Sequence, residues 1–150
     1  MEHPLKKKIA AQSLRIAVIG LGYVGLPLAI TFAEAGFHVT GIEIDSQKVE
    51  NASRGESYIP DVSSTTLRAL IDTKRLDFTT DYAALNDVDA ISICVPTPLL
   101  KTRNPDISYI ISAIQQVRAH LHPGQLVALE STTYPGTTDE VVLQNSKPAA

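Results

Sequence analysis

A glycine-rich turn, placed between an apolar run and a helix-forming run, is the feature that most constrains this chain. Residues 14–20 (LRIAVIG) are mostly apolar and rich in isoleucine and valine, which predicts a buried β-strand. The turn itself reads GLGYVG over residues 20–25, and a helical pattern follows over residues 23–36 and ends at a glycine. This order of strand, glycine turn and helix is typical of the first βα unit of a dinucleotide-binding sheet.

Each glycine of this turn has a separate physical role in such a unit. Gly20 permits the tight turn, Gly22 lets a pyrophosphate approach the backbone, and Gly25 lets the helix pack closely against the strand. The free N–H groups at the start of the helix carry a partial positive charge that favours phosphate.

An acidic residue follows at the distance that this arrangement needs. Glu43 lies 18 residues after Gly25, at the end of a second predicted strand over residues 37–43. A carboxylate there can accept the hydroxyls of the adenosine ribose and repels a 2′-phosphate, so NAD is favoured over NADP. Lys48 lies nearby, and a cation could instead serve a phosphate. The alternative is that Glu43 and Lys48 are only solvated loop residues.

The rest of the chain continues the alternation of strands and helices. Further strands are predicted over residues 76–79, 89–95 and 126–129, and helices over residues 45–54, 63–73 and 107–121. Thr137 and Glu140 have the spacing of a capping box for a final helix. The pattern predicts one α/β domain over residues 14–143, a doubly wound, mostly parallel sheet of the Rossmann type. Residues 1–13 and 144–150 are predicted to be tails.

Two later loops follow predicted strands and therefore face the same edge of the sheet. Pro96 and Thr97 follow the strand over residues 89–95, and Ser131 and Thr132 follow the last strand. Ligands of doubly wound sheets lie across the carboxyl ends of the strands, so these side chains are candidates for the nicotinamide half of the cofactor. The alternative is that their hydroxyls only bond to the backbone of their own turns.

Composition removes several other classes of function. The net charge of −3 and the absence of tryptophan argue against nucleic acid as a partner. The single cysteine excludes an internal disulfide, and the four histidines lack metal-ligand spacing, so no metal is expected. Residues 16–33 form an uncharged stretch, but three glycines and a proline interrupt it. We therefore expect no membrane span and a cytoplasmic protein.

Four segments in order (IAVIGLGYVGLPLA, GIEIDSQKVE, ICVPTPL and ESTTYPGTT) resemble the UDP-glucose/GDP-mannose dehydrogenase family. The resemblance implies an enzyme that oxidises the C6 alcohol of a nucleotide sugar to a carboxylate in two NAD-linked steps. It also implies backbone contacts from Tyr23 and Val24 to the pyrophosphate, with Glu43 on the adenosine ribose. Lys48 occupies a position at which members of this family often have a basic residue beside that carboxylate. Thr97 and Thr132 would lie toward the nicotinamide.

Other parts of the family pattern bear on substrate and catalysis. The segment RGESYIPD (residues 54–61) is similar to that of members acting on UDP-N-acetylhexosamines, such as UDP-N-acetylglucosamine 6-dehydrogenases. The family's catalytic cysteine, lysine and glutamate come in later segments, which these 150 residues lack together with the substrate domain. Cys94 lies in an apolar strand and is expected to pack as a small hydrophobic residue, so no catalytic residue is predicted.

The resemblance implies that the complete enzyme is a homo-oligomer, with this domain a monomer by itself. Two alternatives remain open. The chain could be a stand-alone NAD-binding module without catalysis, or the first domain of a different NAD-dependent dehydrogenase.

Overall fold

An all-parallel, five-stranded β-sheet forms the centre of the computed structural model, which describes residues 3–146. Its strands lie in the order β3-β2-β1-β4-β5. They are β1 (Arg15–Ile19), β2 (His38–Ile42), β3 (Leu76–Thr79), β4 (Ala90–Ile93) and β5 (Leu126–Leu129). Each of the five predicted strands is present, which confirms the predicted parallel α/β sheet.

Helices connect these strands. They are α1 (Pro4–Ala10), α2 (Gly25–Glu34), α3 (Ser46–Ser53), α4 (Ser64–Asp72) and α5 (Ser108–His120), with a 3₁₀-helix at Tyr82–Asp87 between β3 and β4. A π-helix (Thr138–Leu143) follows β5 and leads into one α-helical turn, α6 (Gln144–Ser146). Asp45 and Ser63 begin α3 and α4 by accepting hydrogen bonds from the first backbone N–H groups of those helices.

The sheet is covered on both faces, which confirms the doubly wound arrangement. Side chains of β1 alternate between the two faces, because successive residues of a strand point in opposite directions. Ile16 and Val18 pack with α2 and α4, whereas Ala17 and Ile19 pack with α5, the 3₁₀-helix and the π-helix. All four of these side chains are buried, so β1 is the centre of the domain.

The carboxyl ends of the strands are level with one another. Ile19 pairs in register with Ile42 of β2 and with Ile93 of β4, and Ile93 pairs with Leu129 of β5. The strand order reverses at β1, since β2 lies on one side of it and β4 on the other. Loops that leave the sheet at such a point diverge and leave a crevice that is the usual ligand site.

The prediction of a loose tail over residues 1–13 is wrong for α1. His3 accepts a hydrogen bond from the Leu5 N–H, Lys8 forms an ion pair with Asp89, and Gln12 donates to the Ala35 carbonyl at 2.7 Å. These polar contacts, together with the partly buried side chain of Leu5, hold a helix that has no fully buried residue. Hydrophobic periodicity could not reveal it, because the periodic signal arises from burial.

The predicted capping box is also wrong. The Thr137 hydroxyl donates to the Tyr134 carbonyl at 2.7 Å, while the N–H of Glu140 donates to the Gly136 carbonyl. The threonine therefore closes the preceding turn and does not cap the helix. The predicted tail at 144–150 is helical over Gln144–Ser146, and its remainder lies outside the described residues.

None of the helices within residues 3–146 is long and apolar enough to cross a membrane. The uncharged stretch over residues 16–33 is divided between β1, the glycine turn and α2.

Candidate functional site

A crevice of about 890 Å³ lies at the carboxyl ends of the strands. Its lining includes ten of the eleven residues predicted from the sequence to bind a cofactor: Gly20, Gly22, Tyr23, Val24, Glu43, Lys48, Pro96, Thr97, Ser131 and Thr132. Gly25, the remaining one, does not line the crevice. The structure thus brings together residues that lie up to 112 positions apart in the sequence.

The three glycines differ in what surrounds them. A Cβ atom on Gly20, whose φ is +88°, would lie 2.7 Å from the carbonyl oxygen of Cys94. A Cβ atom on Gly25 would lie 1.7 Å from the carbonyl oxygen of Gly20. At Gly22 a Cβ atom would meet nothing within 4 Å. Gly20 and Gly25 are therefore required by packing, whereas Gly22 leaves open space at the crevice.

The start of α2 is open to a ligand. Val24 occupies the N-cap position, and no side chain forms a capping hydrogen bond there. The residues Tyr23 and Val24 are 75% and 59% exposed, so their side chains do not cover the end of the helix. A helix end of this kind presents backbone N–H groups and a partial positive charge, which suit a pyrophosphate.

The Glu43 carboxylate is buried, with 9% of the residue exposed, and is held by backbone donors. Its Oε2 accepts from the N–H of Leu21 at 3.0 Å, and its Oε1 accepts from the N–H groups of Ile44 and Asp45 at 2.9 and 3.3 Å. A carboxylate has about four acceptor positions, so about one is left for a ligand hydroxyl. Lys48 Nζ lies 3.9 Å from Oε2.

This geometry refines what Glu43 can do. The sequence predicts that the carboxylate accepts both ribose hydroxyls. In the structure, binding the second hydroxyl requires that a backbone N–H be released or shared. The Glu43 side chain therefore bonds to the glycine turn through the Leu21 N–H and also faces the place where the ribose is expected.

Two tyrosines beside Glu43 were not among the residues predicted from the sequence. The Tyr58 hydroxyl donates to the Leu21 carbonyl at 2.8 Å, and both Tyr58 and Tyr82 line the crevice. Burial, together with the negative charge of Glu43, raises the pKa of each tyrosine. Sequence signals could not pair Tyr58 with Leu21, because 37 residues separate them.

The loops after β4 and β5 form the other half of the crevice. The Ser131 hydroxyl donates to the Val95 carbonyl at 2.8 Å and so ties the two loops together. The hydroxyls of Thr97 and Thr132 make no hydrogen bond within the described part of the chain. These two threonines are thus better placed than Ser131 to bond a ligand.

Cys94 directly follows β4 and is 8% exposed. Its N–H donates to the Ile19 carbonyl, and its sulfur lies 3.7 Å from the Ser92 hydroxyl. Burial raises the pKa of the thiol, which disfavours the nucleophilic thiolate. The side chain packs as a small hydrophobic residue within the core cluster of β1 and α2, as expected.

The model of the UDP-glucose/GDP-mannose dehydrogenase family, NAD binding domain, matches residues 14–149 of this chain. The chain belongs to this family. NAD is the cofactor of the family's N-terminal domain, and the crevice fits it on three counts. It has open space at Gly22, an uncapped helix end at Val24 and a carboxylate at Glu43.

Named relatives within the family act on several sugars. UDP-N-acetyl-D-mannosamine dehydrogenase of Methanococcus maripaludis is 36% identical over 132 residues, which cover 85% of this chain and 30% of the relative. UDP-N-acetyl-D-glucosamine 6-dehydrogenase of Salmonella typhi is 36% identical over 128 residues, which cover 85% of this chain and 29% of the relative. The chain thus spans less than a third of the length of these relatives.

Solved structures of family members have the same fold. GDP-mannose dehydrogenase of Pseudomonas aeruginosa, solved as a ternary complex, matches with a TM-score of 0.85 and 32% identity over 89% of this chain and 32% of that one. UDP-D-ManNAc dehydrogenase of Pyrococcus horikoshii matches with a TM-score of 0.82 and 36% identity over the same shares. The resemblance seen in the sequence motifs is confirmed.

Proposed function

We propose that the crevice binds NAD(H) through the residues predicted from the sequence. The pyrophosphate lies over Gly22, against the backbone N–H groups of Tyr23 and Val24 at the start of α2. The observation that carries this proposal is the open space at Gly22 beside an uncapped helix end.

The two halves of the cofactor take different sides of the crevice in this proposal. The adenosine ribose lies at Glu43, whose charge disfavours a 2′-phosphate, so NAD is preferred to NADP. Lys48, 3.9 Å from the Glu43 carboxylate, reduces that repulsion in part. The nicotinamide lies toward the hydroxyls of Thr97 and Thr132, with Pro96 and Ser131 shaping the wall.

The whole protein, in this proposal, is a nucleotide-sugar 6-dehydrogenase acting on a UDP-N-acetylhexosamine. Names of relatives support this sugar class, and RGESYIPD over residues 54–61 agrees with it. Bound NAD supplies the hydride acceptor for oxidation at C6. Residues 14–143 form the domain that binds and orients NAD. The residues that bind the sugar and carry out catalysis lie in other segments of the whole protein. We further propose a cytoplasmic homo-oligomer for the whole protein.

Calorimetric titration of the 150-residue chain with NADH tests whether the chain binds the cofactor. An activity assay tests whether catalysis needs residues outside this domain. We expect binding, but no NADH formation from UDP-N-acetylglucosamine, UDP-N-acetylgalactosamine, UDP-N-acetylmannosamine or UDP-glucose, because catalysis needs a base and a thiolate held at C6. Turnover that is lost in Cys94→Ser would contradict the buried role of that cysteine. Turnover that survives this substitution would favour a different, single-step dehydrogenase.

A further inference from the structure

Both backbone groups of Leu21, the residue between the first two glycines of the turn, are held by side chains from elsewhere in the chain. Its N–H donates to Glu43 Oε2 at 3.0 Å, and its carbonyl accepts from the Tyr58 hydroxyl at 2.8 Å. The Leu21 side chain is fully buried. The two peptide planes that flank Leu21 are thus each fixed by one hydrogen bond.

The second of these planes determines where Gly22 presents its N–H. A peptide group is planar, so the Leu21 carbonyl and the Gly22 N–H rotate together and point in opposite directions. Gly22 has no Cβ, so its φ is less restricted than that of other residues and resists rotation of this peptide less. The Tyr58 hydroxyl opposes such rotation directly, because it holds the Leu21 carbonyl, while the Leu26 N–H donates to the Gly22 carbonyl at 3.2 Å and holds the next peptide.

Tyr58 is itself held firmly. The Ser57 N–H donates to Ser64 Oγ at 3.0 Å, the Ser57 hydroxyl donates to the Ile59 carbonyl at 2.9 Å, and Ile59 is 6% exposed. Both neighbours of Tyr58 in the chain are therefore anchored. Burial and the charges of Glu43 and Asp45 raise the pKa of Tyr58, so its hydroxyl keeps the proton that it donates.

We propose that Tyr58 is a positioning residue of the pyrophosphate site, which holds the Leu21–Gly22 peptide in the orientation that receives the phosphates. This inference rests on the proposed binding of NAD in the crevice. It assigns a role to the segment over residues 54–61 that is independent of the sugar substrate. The role differs from that of Glu43, because Tyr58 acts on the phosphates that all adenine dinucleotides share.

The substitution Tyr58→Phe removes the hydroxyl and keeps the ring. We expect the Kd for ADP and for NADH to rise by about three- to tenfold, as for loss of one hydrogen bond. Adenosine, which lacks phosphate, should bind equally well to both chains, and the NADH/NADPH affinity ratio should not change. Titrations followed by NMR of the ¹⁵N-labelled chain measure all four ligands. The control is Tyr134→Phe, an exposed tyrosine outside the crevice lining.

A second readout needs no ligand. In the free Tyr58→Phe chain, ¹⁵N relaxation should show increased motion of the Gly22 amide, with the amides of α5 unchanged. Equal ADP binding by the two chains overturns the inference, and so does parallel weakening of adenosine, which indicates general loss of structure. An unmodified chain that binds neither ADP nor NADH overturns the NAD site as well, so the two failures are distinguishable.

Discussion

Replacing Glu43 should change which dinucleotide the crevice prefers. The most informative change is Glu43→Gln, which removes the charge but keeps one carbonyl oxygen for the backbone donors. In Glu43→Ala the N–H groups of Leu21, Ile44 and Asp45 lose their partner together. Water can enter this open crevice, so we expect Glu43→Ala to lower the free energy of unfolding by about 1–3 kcal/mol. Glu43→Gln should cost less.

The expected change in affinity follows from one remaining acceptor position. A hydrogen bond from a ribose hydroxyl to a carboxylate contributes about 1.5–3 kcal/mol, so losing it should raise the Kd for NADH about tenfold to a hundredfold. Two unit charges about 4 Å apart at an effective dielectric constant near 20 repel by about 4 kcal/mol. Lys48, 3.9 Å from Glu43 Oε2, offsets part of that repulsion for a 2′-phosphate. NADPH should therefore bind the variant as well as, or better than, the unmodified chain.

Isothermal titration calorimetry with NADH and NADPH at fixed ionic strength measures this prediction. The matched control is Glu50→Gln, an exposed carboxylate on α3 outside the crevice lining. It changes the net charge equally and should leave both affinities unchanged. An unmodified chain that binds NADPH as tightly as NADH, or a ratio unaffected by Glu43→Gln, would refute the assignment of Glu43 to the ribose.

Three further substitutions and one chemical modification test other parts of the structure. Gly22→Val should abolish NADH binding without changing the circular dichroism spectrum, because the new side chain fills space at the crevice, where its Cβ meets no protein atom within 4 Å. Gly25→Ala should lower the melting temperature, because the Cβ of the alanine would lie 1.7 Å from the carbonyl oxygen of Gly20. Cys94 should react far more slowly with iodoacetamide at neutral pH than free cysteine, and faster as pH rises, because burial raises its pKa. Asp89→Asn should destabilise the chain above about pH 4 in denaturant titrations. Burial raises the pKa of Asp89, but hydrogen bonds from Lys8 and the Arg15 backbone lower it below its usual value, so the carboxylate stabilises the folded chain while it is ionised. The difference in unfolding free energy between the two chains should therefore vanish in acid, where Asp89 is protonated.

Most of the fold could be predicted because buried positions produce a periodic pattern of apolar residues in the sequence. The strands Leu76–Thr79 and Leu126–Leu129 begin and end where the sequence predicts. Helix α3 begins at its predicted cap, Asp45. Helix α1 has no fully buried residue and is held largely by polar contacts, with Leu5 alone packed against the core, so its sequence carries no such pattern.

The candidate site shows a similar division. Glycines and an acidic residue at fixed spacing could be recognised, because each satisfies a local requirement of the βα turn. The hydrogen bond from Tyr58 to Leu21 depends on how α3 and α4 place their connecting loop, which no local pattern encodes. The prediction that Thr137 caps a helix was wrong for a related reason, because its hydroxyl donates to the Tyr134 carbonyl and does not bond to the helix N-terminus.

The central claim is that NAD(H) occupies the crevice at the carboxyl ends of the strands, and NMR titration of the ¹⁵N-labelled chain with NADH tests it most directly. We predict saturable shifts of the amides of Gly22, Tyr23 and Val24, with little change at His38 and Asp77. Those two residues line a second concavity, away from the crevice. The absence of saturable shifts, or shifts centred on the second concavity, would contradict the account.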